Sequence, residues 1–343
     1  MDVTPGELRA TAAGFIGALV ILFVLLYFIG IDQVLAVLGL ARTPVLAVEL
    51  VVALAWLSSW GLSLRTVLGV LGIRVSALKS FLVFASATFA NNVTPFGQAG
   101  GEPFSALLIS RSTESEYETS LAAIASVDAL NFVPSIVLAV IGMGYYATTF
   151  TLGRRIEIAA ASVAVLAVLV PTLAYLGWRR RYEIETRVIE LFTPFVRRMF
   201  RVIPRLSPPD PEDIRQRVEG FFRTIERVAT NRRGLAVSLG FSGLGWLLLA
   251  TSLWTSLFAL GQQVPVGAVL FIVPVAAIAG VTPFPGGLGG VETVLVLLLV
   301  STTGVGAATA SAAVLIHRGA TYWLPILVGG GSTALLEARN VRE

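Results

Sequence analysis

"VTPFPGGLGGVE" occupies residues 281–292, and a phrase of the same build, "VTPFGQAGGE", occupies residues 93–102. Both lie inside hydrophobic stretches, yet each sets proline and paired glycines ahead of a glutamate. Proline removes a backbone donor and glycine weakens a helix, so neither stretch reads as an unbroken membrane-crossing helix. At membrane depth, unpaired backbone N–H and C=O groups are tolerated only where they are buried in protein or line a wet cavity. Pro95, Gly97, Gly100, Gly101 and Pro103 therefore mark protein-lined ground, as do Pro283, Pro285, Gly286, Gly287, Gly289 and Gly290.

The sequence around the phrases is that of a membrane protein. Of 343 residues, 55% are hydrophobic and 13% charged, and mean hydropathy is +0.82, which excludes a water-soluble core-and-shell chain. Apolar segments of about 20 residues or more recur along the whole length, the signature of helical spans and not of a β-barrel. Six segments are predicted to cross as helices: 12–31, 44–72, 119–146, 155–178, 235–261 and 309–336. The run from Thr11 to Ile31 is read as a first span and not a signal peptide. Regions 81–110 and 265–303 carry the phrases in their middles. Residues 81–94 would form a helix of only about 21 Å, too short to span, so a broken helical hairpin is predicted in each region.

With no cysteine and one histidine, His317, a disulfide framework, a thiolate centre and a histidine metal cluster are excluded. No Ser-His-Asp arrangement or nucleotide-binding loop is visible, so neither an enzyme, a cofactor nor a metal is expected. Nucleic acid is not an expected partner.

Residues 179–233 carry fourteen arginines against eight acids, whereas the rest of the chain has eleven basic residues against thirteen acids. That asymmetry places the segment on the cytoplasmic side. Asp210, Pro211, Glu212 and Asp213 form a helix start. Ile214, Val218, Phe221, Phe222, Ile225 and Val228 then share a face, and a similar stripe of Ile184, Val188, Leu191, Phe195, Met199 and Ile203 precedes the break at Pro204, Pro208 and Pro209. Two amphipathic helices are expected, either along the inner leaflet with arginines on anionic headgroups or docked on the protein's own loops.

Counting crossings from that loop puts both termini in the cytoplasm, the C-terminal one with Arg339 and Arg342. Hairpin 81–110 starts and ends inside, beside Arg74, Lys79 and Arg111, and hairpin 265–303 starts and ends outside. Similar elements entering from opposite faces are what an inverted-topology repeat produces. The fold expected is all-α: a membrane half 1–178, a cytoplasmic segment 179–233 and a membrane half 234–343. Spacing agrees, because Asp128 lies 26 residues after Glu102 and Arg318 lies 26 after Glu292. Pro134 and Pro325 follow at similar distances, and Trp60 and Trp246 precede the phrases at comparable offsets.

A central cavity is expected where the phrases converge. Half-helices restarting near Glu102 and Glu292 would aim N–H groups at a phosphate or carboxylate, with Gly100, Gly101, Gly286, Gly287, Gly289 and Gly290 allowing close approach. The two glutamates could instead serve only as first-turn acids. Arg65, Asp128 and Arg318 each cost at least about 2.5–3.5 kcal/mol in a span and so should face a polar interior or a partner; pairing of Arg318 with Glu292 would be reason enough. Asn91, Asn92, Gln98, Asn131 and Tyr322 could add neutral hydrogen bonds or only hold helices together. His317 is read as an interhelical histidine or a donor near the site.

"TPFPGGLGGVE" (282–292) followed by "HRGATYWLPILVGG" (317–330) resembles the lysylphosphatidylglycerol synthase transmembrane-region family, often described as flippase-like. "NNVTPFGQAGGEPFSALLIS" (91–110) and Arg65 extend the resemblance over nearly the whole chain. Full-length synthases of that group carry a soluble aminoacyl-transferring domain after the membrane part. That segment is not present here, so aminoacyl transfer is not expected. Members also tend to have a Glu-Arg pair ahead of the aspartate; "AAIASVDALN" has none, leaving Asp128 alone. The resemblance implies a lipid translocase with a cavity for a phosphorylated headgroup in the cell membrane. Two other readings stay open: a subunit that presents lipid to a separate glycosyl- or aminoacyltransferase docked on 179–233, and a secondary transporter of a soluble anion.

Overall fold

A computed structural model describes residues 5–94, 98–149, 154–202, 210–280, 282 and 284–340, without the side chains of 5–14, 98–99, 149, 154–159, 162, 199–202 and 337–340. Pro95, Gly97, Pro283, the segment from Ile203 to Pro209 and Arg342, with the side chains of Gln98, Met199 and Arg339, lie outside what is described. Among the described residues the chain is helical, with no strand. In order come α1 (Pro5–Ile29), α2 (Ile31–Leu38), α3 (Thr43–Val70), α4 (Ala77–Val93), α5 (Gln98–Thr113), α6 (Tyr117–Thr149) and α7 (Arg154–Arg179). The second half has α8 (Arg181–Val202), α9 (Pro211–Thr230), α10 (Arg232–Ala259), α11 (Val266–Ile278), a 3₁₀ turn (Pro285–Gly287), α12 (Gly290–Thr303), α13 (Ala307–Arg318), a π turn (Gly319–Trp323) and α14 (Leu324–Asn340).

Four helical stretches are long and apolar enough to cross a membrane, and two bent pairs bring the number to as many as six. One bent pair is α1 with α2, turned 89° at Gly30; the other is α7 with α8, turned 77°. One of the four, 285–303, qualifies by length and composition. Its glycine break leaves α12 with 14 residues, about 21 Å and short of the hydrocarbon core.

The centre of the molecule is the antiparallel pair α3 and α10. Ser63 and Ser238 each donate to the other's backbone carbonyl, with the two Oγ atoms 2.8 Å apart. Trp60 packs edge-on against Trp246, ring centroids 5.7 Å apart, and donates to Ser242 O. Lipid gives no hydrophobic reward for helix pairing, so close packing and interhelical hydrogen bonds of about 0.6 kcal/mol each must hold such a pair. Small residues supply the packing: a methyl at Gly245 would run into the Trp60 indole.

Around this centre, α4 lies antiparallel to α14 and α11 lies antiparallel to α6. Each contact is closed by glycine. A side chain at Gly329 would strike Ala85 O, and one at Gly142 would come within 2.8 Å of Gly267 O.

The two hairpins open at opposite ends of α6. The α3–α4 turn, the α5–α6 turn and α9 jointly line a cleft of about 510 Å³ that includes Arg74, Ser115, Glu116 and Arg227. Both ends of hairpin α4/α5 are therefore beside the start of α6. At the other end of α6, Tyr145 packs on Gly267, and Tyr146 donates to Thr302 O. Those contacts hold the start of α11 and the end of α12.

Asp210 caps α9 by accepting from Glu212 N at 3.1 Å, and α9 buries Ile214 and Val228. Its apolar stripe docks on the protein's own helices, with Arg217 on Glu118 at 2.6 Å. By contrast, α8 leaves Leu191 and Phe195 exposed, at 75% and 62%.

Candidate functional site

The site forms where the tips of the hairpins meet. In the second phrase, three glycines take positive φ: Gly286 (53°), Gly287 (68°) and Gly289 (84°). At Gly286 a β-carbon would also come within 2.9 Å of Asn92 Oδ1 and closer still to the Tyr322 ring, so only glycine fits. The chain then restarts as α12, whose first turn is held by Glu292 Oε2 accepting from Gly289 N at 2.5 Å. Glu292 thus does serve as a first-turn acid, and its other oxygen is spent elsewhere.

Glu292 Oε1 accepts from Arg318 Nε at 2.5 Å, with the Glu292 side chain 2% exposed and the Arg318 side chain 13%. Arg318 Nη2 donates to Gly286 O at 3.2 Å. Its guanidinium carbon lies 4.6 Å from the Tyr322 ring centroid. These three contacts hold the guanidinium plane and leave Nη1 without an acceptor among the described residues. Arg318 closes α13, and the π turn follows. Pro325 has no N–H, and its ring would crowd the Thr321 carbonyl of a regular helix. A wide turn before it relieves that conflict, here closed by Leu324 N bonding back to Gly319 O.

Tyr322 joins the tips. Its hydroxyl reaches Asn92 O at 3.1 Å and Pro285 O at 3.3 Å, and Asn92 Nδ2 donates to Tyr322 O at 3.4 Å. The end of α4 and the 3₁₀ turn of the second hairpin are thus fastened to one residue.

The first phrase also brings its glutamate to a side chain 26 residues on, with different charges. Asp128, 8% exposed on α6, faces Glu102 across the α5–α6 interface. The 26-residue spacing therefore brings two side chains together in both halves: acid to base in one, acid to acid in the other. Asp128 Oδ2, Asn91 Oδ1 and Thr282 Oγ1 are buried without a hydrogen-bond partner among the described residues. Gly101 allows α5 to press against Asn91, where a β-carbon would lie 2.7 Å from its backbone N. α5 starts at Gln98, four residues ahead of Glu102, so Glu102 is past the first turn.

Several sequence candidates fall elsewhere. Arg65 is exposed and donates to Val75 O at 3.0 Å, tying down the α3–α4 turn; its expected place in the binding cavity is corrected. Asn131 accepts from Ser242 Oγ (2.5 Å) and Trp246 Nε1 (2.9 Å), joining α6 to α10. Gly100 is exposed near the start of α5, Gly287 packs on Gly280, and Gly290 begins α12. His317 is buried and meets Ser252, as an interhelical histidine. The sequence reading passed over Glu49, 3% exposed, which accepts from both Ser252 and Thr255. An acid six residues into α3 is itself a signal, since burying one in a span is costly.

The chain matches the family described as "Lysylphosphatidylglycerol synthase TM region" over residues 11–329. The chain belongs to that family. The match takes in both hairpins, Glu292 and Arg318, and with the spans it makes this a multi-pass integral membrane protein. Family relatives named "UPF0104 membrane protein" come from archaea. One from Methanothermobacter thermautotrophicus is 28% identical, covering 94% of this chain and 92% of its own length. One from Pyrococcus horikoshii is 23% identical, over 90% and 92%, and one from Methanocaldococcus jannaschii is 25% identical, over 94% and 93%.

Proposed function

We propose that the chain moves a phosphorylated lipid between leaflets, its headgroup passing the hairpin tips while its tails stay in the bilayer. The observation that carries this reading is Arg318, pinned by Glu292, Gly286 O and Tyr322 at the meeting point of the tips. A guanidinium held flat, with one amino group uncommitted, suits the oxygens of a phosphate. The unpaired polar atoms of Asp128, Asn91 and Thr282 support polar ground around it. The family name adds a lipid with an anionic phosphate, taken here only as pointing to the chemical class.

Hairpins opening at opposite ends, and the matching pairs α4 with α14 and α11 with α6, support two halves related by inversion. Inversion would let the headgroup meet an equivalent gate from either leaflet. α8, turned 77° from α7 and apolar on its free face, is placed in this reading along the cytoplasmic leaflet of the cell membrane, with both chain termini on that side.

The test is movement of a fluorescent phosphatidylglycerol across reconstituted vesicles, followed by quenching of the outer leaflet. Arg318→Lys keeps the charge but loses the planar fork and the stack, and is expected to slow movement at least tenfold. Wild-type rates in both Arg318→Lys and the double variant Arg318→Met/Glu292→Gln would overturn the reading.

A further inference from the structure

Outside the headgroup site lies a second buried polar cluster, crossing three helices. Glu49 of α3 accepts from Ser252 Oγ and Thr255 Oγ1 of α10. Ser252 Oγ is 2.6 Å from His317 Nδ1 of α13. Glu49, Ser252 and His317 are 3%, 1% and 4% exposed. A carboxyl group and an imidazole, joined by one hydroxyl and shut off from solvent, are more than helix packing requires, because neutral side chains would join these helices at lower desolvation cost.

We propose that Glu49, Ser252 and His317 form a proton relay that couples a proton gradient to the Arg318 site; this rests on the lipid-transport reading. The hydrogen-bond inventory permits two arrangements on the same heavy atoms. In one, a protonated Glu49 donates to Ser252 Oγ, and the hydroxyl proton is given to unprotonated His317 Nδ1. In the other, Ser252 donates to the Glu49 carboxylate and accepts from His317 Nδ1–H. Passing between them breaks the Glu49 O–H and Ser252 O–H bonds and forms a new Ser252 O–H and a His317 N–H. One proton leaves the carboxyl and one arrives on the ring, so the balance is kept. To complete the transfer, the ring gives its Nε2 proton to a water molecule, and the Glu49 carboxylate takes one proton from water on its own side.

Glu49 lies six residues into α3, about 9 Å from the helix start. His317 precedes Arg318 in the chain, so a charged ring alters the field at the guanidinium. Other charged groups on the helices around the relay are Glu292, bound to Arg318; Asp32 and Arg42, both exposed; Asp128 with Glu102 on the α6 side; and Arg65, Lys79, Glu118, Arg232, Arg233 and the arginines of α9. Of these, Arg318 is the one adjacent to His317 in the chain.

Two measurements on the full chain test the relay. Infrared difference spectra of the purified protein in lipid nanodiscs, taken across a pH step, should show a protonated-carboxyl band. The Glu49 part of that band should vanish in Glu49→Gln, whose amide still accepts one of the two hydrogen bonds and can donate in place of the other, and should titrate at a different pH in Ser252→Ala. Spectra unchanged in both variants overturn the relay. In vesicles, one coupled proton across a one-unit pH difference supports up to about tenfold enrichment of labelled phosphatidylglycerol in one leaflet. Wild type should enrich the label, while Glu49→Gln should equilibrate it without enrichment. If wild type moves lipid but ignores the gradient, the relay fails and lipid transport stands. If wild type moves no lipid, the transport reading fails, and the infrared result alone decides whether the cluster passes a proton.

Discussion

At the residue scale, Arg318 and Glu292 constrain each other more than they constrain the fold. A buried ion pair is a poor source of net stability, because desolvation offsets the attraction, but removing one partner strands the other. Arg318→Ala should therefore lower stability by about 3–5 kcal/mol, leaving Glu292 buried and unpaired. Arg318→Met/Glu292→Gln should recover most of that loss in thermal unfolding, yet remain inactive in lipid movement. A double variant as unstable as the single one would contradict this account. Part of this was legible beforehand: pairing of Arg318 with Glu292 was one reading of the arginine in the span, whereas the 26-residue spacing marked Glu102 and Asp128 as matching positions without setting them in contact. Glu49 was not legible as part of a cluster, because its partners Ser252 and Thr255 lie 203 and 206 residues away and are unremarkable by type. Arg65 misled for the opposite reason. Its charge within an apolar run implied a polar interior, but it lies five residues from the end of α3, where a long side chain reaches the turn carbonyl of Val75.

At the scale of elements, the π turn decides which way Arg318 faces. An extra residue in that turn offsets α14 from α13, and Tyr322 sits inside it, beneath the guanidinium. Pro325→Ala restores a backbone donor and removes the ring clash, so the segment can relax to a regular helix. The expected result is equal or greater thermal stability with lipid movement reduced several-fold, measured on the same preparation. A regular helix in a crystal structure of that variant, with transport intact, would show that the wide turn has no part in the site. Pro325 was visible in the sequence, but its consequence depends on how a helix absorbs one lost bond, which spacing does not reveal. Spans 44–72, 119–146 and 235–261 were legible to within a few residues, since long apolar runs dictate them, whereas 12–31 and 155–178 qualify only together with their bent continuations and 309–336 is broken by the π turn. The docking of α9 on its own protein was one of two readings left open, and Arg217 on Glu118 favours it.

At the scale of the whole molecule, opposed hairpins make a topological prediction. The chain has no cysteine, so single ones can be introduced cleanly. Glu116→Cys, between α5 and α6, and Gln263→Cys, between α10 and α11, are both exposed positions at opposite ends of α6. A membrane-impermeant maleimide should label one only from the cytoplasmic face and the other only from the opposite face. Labelling of both from a single face would remove the inverted arrangement and, with it, the proposed gating.

The fastening of Asn92 to Tyr322 spans 230 residues of sequence. During synthesis the first hairpin is made long before its clasp, so its glycine-rich tip must wait in the membrane with nothing to cover it. Nascent chains that stop short of Leu324 should therefore be held by insertion chaperones or cleared by membrane proteases, whereas chains carried a few residues further should survive. A residue made at position 322 thus completes a hairpin begun near position 92.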